Sequence, residues 1–313
     1  MTAESYRELL QRGGAVDLVG RVILKFTGAD RTRYLNGQVT ANVQSLAPGC
    51  GSPACVTTAK GKLCAEGVVT NSGDALLFDA DSSLRDVLPP RFERYIISDD
   101  VTLDDVSDAI RLVHLLPGAN GSVELLPQFA GGLQTSAVSR FGQLGLDVFV
   151  SVAVFDGAWR QLSRGRVILT DADVENFRIE RGIPRWGMEL DENTLPPEAG
   201  LDRTHIDYQK GCYIGQEVIS RLKSIGHVNR SLVGFVSVTG ASLSRDAQIV
   251  PASTPGGDAC GVVTSAGWSF ALEKPVALGY LRRSAPPGEL IARPVAQGGE
   301  PVPITVCELP FSK

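Results

Sequence analysis

An α+β fold ending in a small antiparallel β-barrel is what this sequence predicts, and three observations predict it. Up to about residue 228, apolar runs of period two alternate with short stretches of helical period. After Asn229 only short β-type runs remain, separated by Gly and Pro turns, which is the pattern of a small barrel. The chain has 313 residues, 43% hydrophobic and 21% charged, so it is globular and too long for one ordinary core.

The elements follow in order. Thr2 is placed to cap a helix in which Tyr6, Leu9 and Leu10 share a face and which Gly13 stops. Residues 21–27 alternate, with Val22, Leu24 and Phe26 on one face of a strand. Asp30 is expected to cap a second short helix through Tyr34 and Leu35, closed by Gly37. Strands are expected over 54–58, 63–69 and 75–78, with turns at Lys60-Gly61-Lys62 and Asn71-Ser72-Gly73-Asp74. Residues 83–95 read as a helix broken at Pro89-Pro90. A strand is expected over 148–155 and a helix over 171–181, stopped by Gly182 and Pro184. Residues 185–207 are irregular and rich in Pro, Glu and Asp, a length at which loops are often functional. Barrel strands are expected over 232–238, 260–265, 276–281, 290–295 and 304–308.

Composition narrows the function. A net charge of −5 shows no basic excess for a nucleic-acid backbone. The N-terminus carries no apolar core, and the longest apolar stretch, 148–155, is far short of the roughly 20 residues that span a bilayer. The expectation is a soluble, cytoplasmic protein without nucleic-acid or membrane partners. Cysteines at 50, 55, 64, 212, 260 and 307 form no Cys-x-x-Cys pair and are read as reduced thiols. Cys50, Cys55 and Cys64 are read as small buried or loop residues, and no metal site is expected.

The chemistry concentrates in Lys210-Gly211-Cys212-Tyr213-Ile214-Gly215-Gln216-Glu217. Glycines 211 and 215 permit tight turns and close backbone approach. From Gly215 onward the sequence is helix-compatible, with acidic Glu217 in the first turn as the macrodipole favours. Cys212 then stands just before a helix N-terminus and two residues after a lysine, and both features favour the thiolate. Cys212 and Lys210 are therefore the catalytic candidates. The plainer alternative stays open: a small buried cysteine, a solvated lysine and a core Tyr213.

The same octapeptide, K-G-C-Y-I-G-Q-E, resembles the signature of the YgfZ family of folate-binding proteins. The likeness continues through Val218-Ile219-Ser220-Arg221 and Gly226-His227-Val228-Asn229-Arg230. Upstream, Phe177-Arg178-Ile179-Glu180-Arg181-Gly182-Ile183-Pro184 and Leu195-Pro196-Pro197-Glu198-Ala199-Gly200-Leu201 are similar to segments shared by YgfZ and the glycine-cleavage T-protein. Gly28-Ala29-Asp30-Arg31 and Tyr34-Leu35-Asn36-Gly37-Gln38-Val39-Thr40 look like the same superfamily. The resemblance implies three domains in a ring around a folate pocket: residues 1–228 as two interleaved α+β subdomains and residues 229–313 as the barrel. It implies tetrahydrofolate or a derivative as ligand, and iron–sulfur assembly proteins or client enzymes as partners, with Cys212 as the working group. For the pocket it points to Glu198, whose carboxylate suits the donor edge of a pterin, and to Arg221 and Arg178 for the glutamate tail. Tyr95 and Phe141 are the candidates for stacking on the ring.

The alternative is an aminomethyltransferase like the T-protein, which moves a one-carbon unit from an aminomethyl carrier to tetrahydrofolate. That pattern places paired aspartates after a Gly-Gly turn. The corresponding stretch here is Gly61-Lys62-Leu63-Cys64-Ala65-Glu66, so one position is an uncharged alanine and only Glu66 supplies a carboxylate. Cys212 is a thiol that the T-protein pattern lacks. His227 follows the motif, and neither His114 nor His205 has an evident partner in the sequence.

Overall fold

The computed structural model describes residues 1–123, 134–295 and 299–311. Its Cα packing divides the chain into two compact units. The first comprises Met1–Thr170 and Asp202–Ser220, and the second Asp171–Leu201 and Arg221–Lys313. Where the sequence suggested one cut at 228/229, the units interleave: the helix and irregular segment from Asp171 pack with the barrel.

The first unit opens with helix α1 (Ala3–Arg12), held by a capping box in which Thr2 and Ser5 satisfy each other's backbone N–H. Then come β1 (Gly14–Asp17), β2 (Arg21–Thr27) and α2 (Arg31–Gln38). Asp30 does not cap α2 with its side chain. Its carboxylate is taken by the backbone N–H of Asp100 at 2.9 Å and by Arg33. Strands β3 (Cys50–Thr57), β4 (Leu63–Asn71) and β5 (Leu76–Asp81) form a meander. Helix α3 (Leu88–Glu93) starts at the two prolines expected to break a helix. Proline lacks the N–H that a first-turn residue would leave unused anyway, so the pair begins the helix. Strands β6 (Thr102–Asp105), β7 (Ile110–Leu116), β8 (Gln134–Ser139) and β9 (Leu144–Ser151) follow, then α4 (Phe155–Leu162) and β10 (Val167–Ile168).

All ten strands join one sheet in the order β10-β1-β7-β9-β8-β3-β4-β5-β2-β6. An edge-to-face aromatic cluster of Phe26, Phe78 and Phe92 packs one side, with Phe92 centroids 5.1 Å and 5.7 Å from the other two. A buried polar chain also runs through the unit. Arg140 bridges Asp79 at 2.6 Å and Asp147 at 2.6 Å, Arg21 reaches Asp79, and His114 Nδ1 lies 2.8 Å from Asp147. Paired charges of this kind keep each buried carboxylate compensated.

The second unit contains α5 (Asp171–Glu180), the C-terminal end of α6 (Gln216–Ser224), which begins in the first unit, and six strands. These are β11 (Arg230–Ser237), β12 (Gln248–Pro251), β13 (Gly261–Ser269), β14 (Lys274–Arg282), β15 (Leu290–Arg293) and β16 (Val302–Cys307), closed as a barrel in the order β11-β14-β13-β12-β15-β16. The expected α+β fold with an antiparallel C-terminal barrel is therefore present. Short β12 is an element that the sequence does not predict. Phe235, Ile249, Val263, Ala277 and Ile304 fill the barrel. No described helix is long and apolar enough to cross a membrane.

Candidate functional site

The segment around the octapeptide is tied to the first unit by its backbone and by one side chain. Thr40 Oγ1 donates to His205 O at 2.5 Å, Asp207 N–H donates to Thr40 O at 3.0 Å, and Ile214 N–H donates to Gly37 O at 3.3 Å. The Lys210 ammonium is buried and donates to three carbonyls: Asn36 O at 2.6 Å, Val39 O at 2.7 Å and Ala41 O at 2.6 Å. Burial pushes its pKa down to about 8, while the three carbonyls take its three protons and favour the charged form. Lys210 is thus a structural clamp and not a catalytic partner of Cys212. The reason is geometric: no ammonium proton is left to serve a thiolate.

Cys212 is exposed on this loop. It stands four positions before Gln216, the first residue of α6, outside the turn over which a helix dipole acts. Neither activating feature expected from the sequence is in place. Gly215 is required as glycine: its φ is +88°, and a Cβ there would fall 2.5 Å from Thr58 O. Gly211 is different, since a Cβ would meet nothing within 4 Å. Tyr213 is buried with its ring centroid 5.3 Å from Lys210 Nζ, a cation–π contact that adds to the clamp. Gln216 and Glu217 open α6, with Glu217 the acidic residue of its first turn.

A constellation absent from the sequence reading lies beside this loop. His205 Nε2 lies 3.1 Å from Glu66 Oε1, and His205 Nδ1 lies 2.7 Å from Thr204 Oγ1. Burial raises the Glu66 pKa, but the His205 hydrogen bond and charge, with the charges of Arg21 and Arg140, outweigh it and hold the carboxyl below its ordinary value. Beside it in the sheet, Cys55 is fully buried, and burial pushes its thiol well up, which suits an inert core cysteine. His205 lines a cavity of about 410 Å³ with Asn42, Ser45, Cys50, Pro53 and Asp207 among its walls. Glu66 and His205 are 139 residues apart, and no local pattern in the sequence joins them.

The residues expected to hold folate divide. Glu198, in a 3-10 turn (Pro196–Ala199), is nearly buried, and its Oε2 accepts from Arg230 Nε at 3.0 Å. It lines a cavity of about 600 Å³ with Asn229, Arg230, Arg282, Arg283 and Ser284. Arg178 is not available to a ligand. All five of its N–H groups are spent on Glu175, Glu189, Ser265 and Ile183 O, at 2.5–3.1 Å. Phe141 is 6% exposed and packs against His114 with centroids 5.5 Å apart, so it is core rather than a stacking platform. Tyr95 is half-buried beneath the guanidinium of Arg91 at 4.5 Å. Arg221 projects from the exposed side of α6. His227 is exposed.

Comparison with known proteins shows what the chain is similar to. Residues 230–313 match the model of the glycine cleavage T-protein C-terminal barrel domain. The chain is 27% identical to an aminomethyltransferase of Rubrobacter xylanophilus over 96% of this chain and 83% of that one. It is 27% identical to the mitochondrial aminomethyltransferase of Solanum tuberosum over 87% of this chain and 73% of that one. With the aminomethyltransferase of Synechococcus elongatus it shares 29% identity, but spans 62% of that protein's length. The fold matches the glycine cleavage system aminomethyltransferase T of Bartonella henselae, with a TM-score of 0.82 and 17% identity over 99% of this chain and 89% of that one. Together these findings support the T-protein superfamily. The relatives carry the aminomethyltransferase name, which favours the transferase alternative over the YgfZ reading.

Proposed function

We propose that this protein binds tetrahydrofolate and accepts onto it a one-carbon unit from an aminomethyl carrier. The observation that carries the reading is Glu66: a carboxylate kept ionised by His205 on β4, one position from where the resembling pattern places its first aspartate. An ionised carboxylate stabilises the positive charge that develops as an amine is exchanged for the folate nitrogen. His205 holds that carboxylate in place and is itself able to pass a proton. Glu198 is the group proposed for the pterin's donor edge, and the similarity to named aminomethyltransferases supports the ligand class. The test is an assay with tetrahydrofolate and an aminomethyl-loaded carrier, following the methylene product. Glu66→Gln is expected to lower turnover about a hundredfold, the usual scale for removing one such electrostatic partner. Turnover equal to wild type in Glu66→Gln removes the reading.

A second reading is favoured by one observation, the exposed Cys212 thiol on a loop anchored through Lys210. It is the folate-binding helper of iron–sulfur enzymes, working with assembly proteins or client enzymes. Cys212→Ala separates the two: the transferase keeps its activity, whereas the helper loses its support of iron–sulfur enzymes in a strain lacking the gene.

A further inference from the structure

We propose that Thr204, His205 and Glu66 form a nucleophile relay that transfers and hydrolyses small acyl groups from activated esters and thioesters, with Thr204 Oγ1 as the attacking atom. The argument begins with the directions of the two hydrogen bonds. An ionised carboxylate only accepts, so at Glu66 the 3.1 Å contact fixes the imidazole proton on Nε2. A neutral imidazole protonated at Nε2 presents a lone pair at Nδ1. With the imidazole in this neutral form the 2.7 Å contact from Thr204 is Oγ1–H donating to Nδ1, whereas the protonated ring would donate Nδ1–H to Thr204 and leave the hydroxyl unactivated. That is the order hydroxyl, imidazole, carboxylate, which activates a hydroxyl nucleophile and is recognised by geometry and not by chain order.

The placement agrees with the chemistry. Thr204 is exposed, and with His205 it lines the 410 Å³ cavity, so the hydroxyl faces space that a substrate can enter. The His205 backbone carbonyl accepts from Thr40 Oγ1 at 2.5 Å, which fixes the chain where the relay needs it. Asn42, also on the wall, accepts Ser45 N–H on its Oδ1, so that oxygen is engaged within the loop. Its amide nitrogen is the donor available for a developing oxyanion. Among the described residues no lysine or arginine lines the cavity, and Asp207 does. Uncharged or amine-bearing acyl groups are therefore accepted, and anionic ones are repelled.

The step balances without an added oxidant or reductant. Thr204 Oγ bonds to the acyl carbon and its proton passes to His205 Nδ1. The alcohol or thiol leaves with that proton as its bond to the acyl carbon breaks. Water then attacks the acyl-threonine with Nδ1 as base, and the proton returns to Thr204 Oγ. The net reaction is ester plus water to acid plus alcohol.

The test uses the full chain and p-nitrophenyl acetate, with no folate present, so its failure leaves the one-carbon reading untouched. Wild type is expected to release p-nitrophenolate and, on acid quench, to carry acetyl on Thr204 by peptide mass spectrometry. Thr204→Val and His205→Gln are each expected to lower release about a hundredfold, the lower end of what a positioned base contributes. Thr204→Ser should retain release and carry the label at residue 204, which shows that a folded protein with a hydroxyl suffices. Thr204→Val with the wild-type rate, acetyl found only on cysteine or lysine, or no release by wild type overturns the proposal.

Discussion

The cluster around Arg178 in the second unit and the pair Glu66–His205 in the first are built from the same kinds of residue and end in opposite conditions. Around Arg178 every donor is used. Glu189 in turn accepts from Arg178, from Arg185 N–H, from Thr264 and from Ser265. Such a cluster has no capacity left for a ligand, and its value lies in keeping buried charges compensated. Beside Glu66, the imidazole bonds one carboxylate oxygen and one hydroxyl while lining a cavity. Polar groups that face space can act on a substrate; polar groups that face only each other hold the chain together. Lys210 falls on the structural side of that division and Cys212, two residues on, on the open side.

The sharpest way to break this contrast is Arg178→Met. If the cluster is structural, the variant leaves Glu189 buried without its cation and loses about 3–5 kcal/mol of stability, read as a lower midpoint in urea unfolding. If Arg178 served the folate tail instead, affinity would fall while the unfolding midpoint stayed in place.

Gly215→Ala tests the loop beside the cavity. A side chain at φ +88° with its Cβ 2.5 Å from Thr58 O is strained whichever way it relaxes. The expected loss is about 1–3 kcal/mol, with Gly211→Ala near neutral because nothing lies within 4 Å. Equal effects at the two glycines would show that the loop is not anchored as described.

What the sequence made legible, and what it did not, follows the range of the interactions. Val22, Leu24 and Phe26 alternate and are buried together in β2. Period two is a local property, so it can be read without knowing the fold. The barrel strands were legible for the same reason. The role of Lys210 is not legible in the sequence because its three acceptors, Asn36, Val39 and Ala41, lie some 170 residues away and are backbone oxygens, which no side-chain pattern reveals. Glu66 stands out in the sequence by its position in a pattern, whereas nothing in the sequence marks His205 as its partner. The irregular segment was recognised as a candidate for function, yet irregular chain carries no period to say which of its residues turn inward.

A smaller effect comes from pH. The folded Glu66 carboxyl titrates below its ordinary value. On acidification the unfolded chain therefore takes up this proton first. Glu66 contributes stability above about pH 4.3, its unfolded range, and that contribution is lost as pH falls through the lower folded value. Wild type should lose stability in this window more steeply than Glu66→Gln, measured as urea midpoints between neutral and acid pH. Parallel curves would mean that His205 and the arginines do not hold the carboxylate.

Cys212→Ala is expected to have the smallest effect on the fold and is for that reason the most informative about function. An exposed side chain away from the anchoring bonds changes stability by no more than about 0.5 kcal/mol. The clamp through Lys210 and the φ of Gly215 do not depend on the thiol, so the loop keeps its course when the sulfur is removed. Any loss of iron–sulfur enzyme activity in a complemented strain then belongs to the sulfur and not to unfolding. A drop in the unfolding midpoint comparable with that of Gly215→Ala would place Cys212 among the groups that hold the loop together. It would then join Lys210 on the structural side of the contrast, and the open side would be left to Glu66, His205 and Thr204.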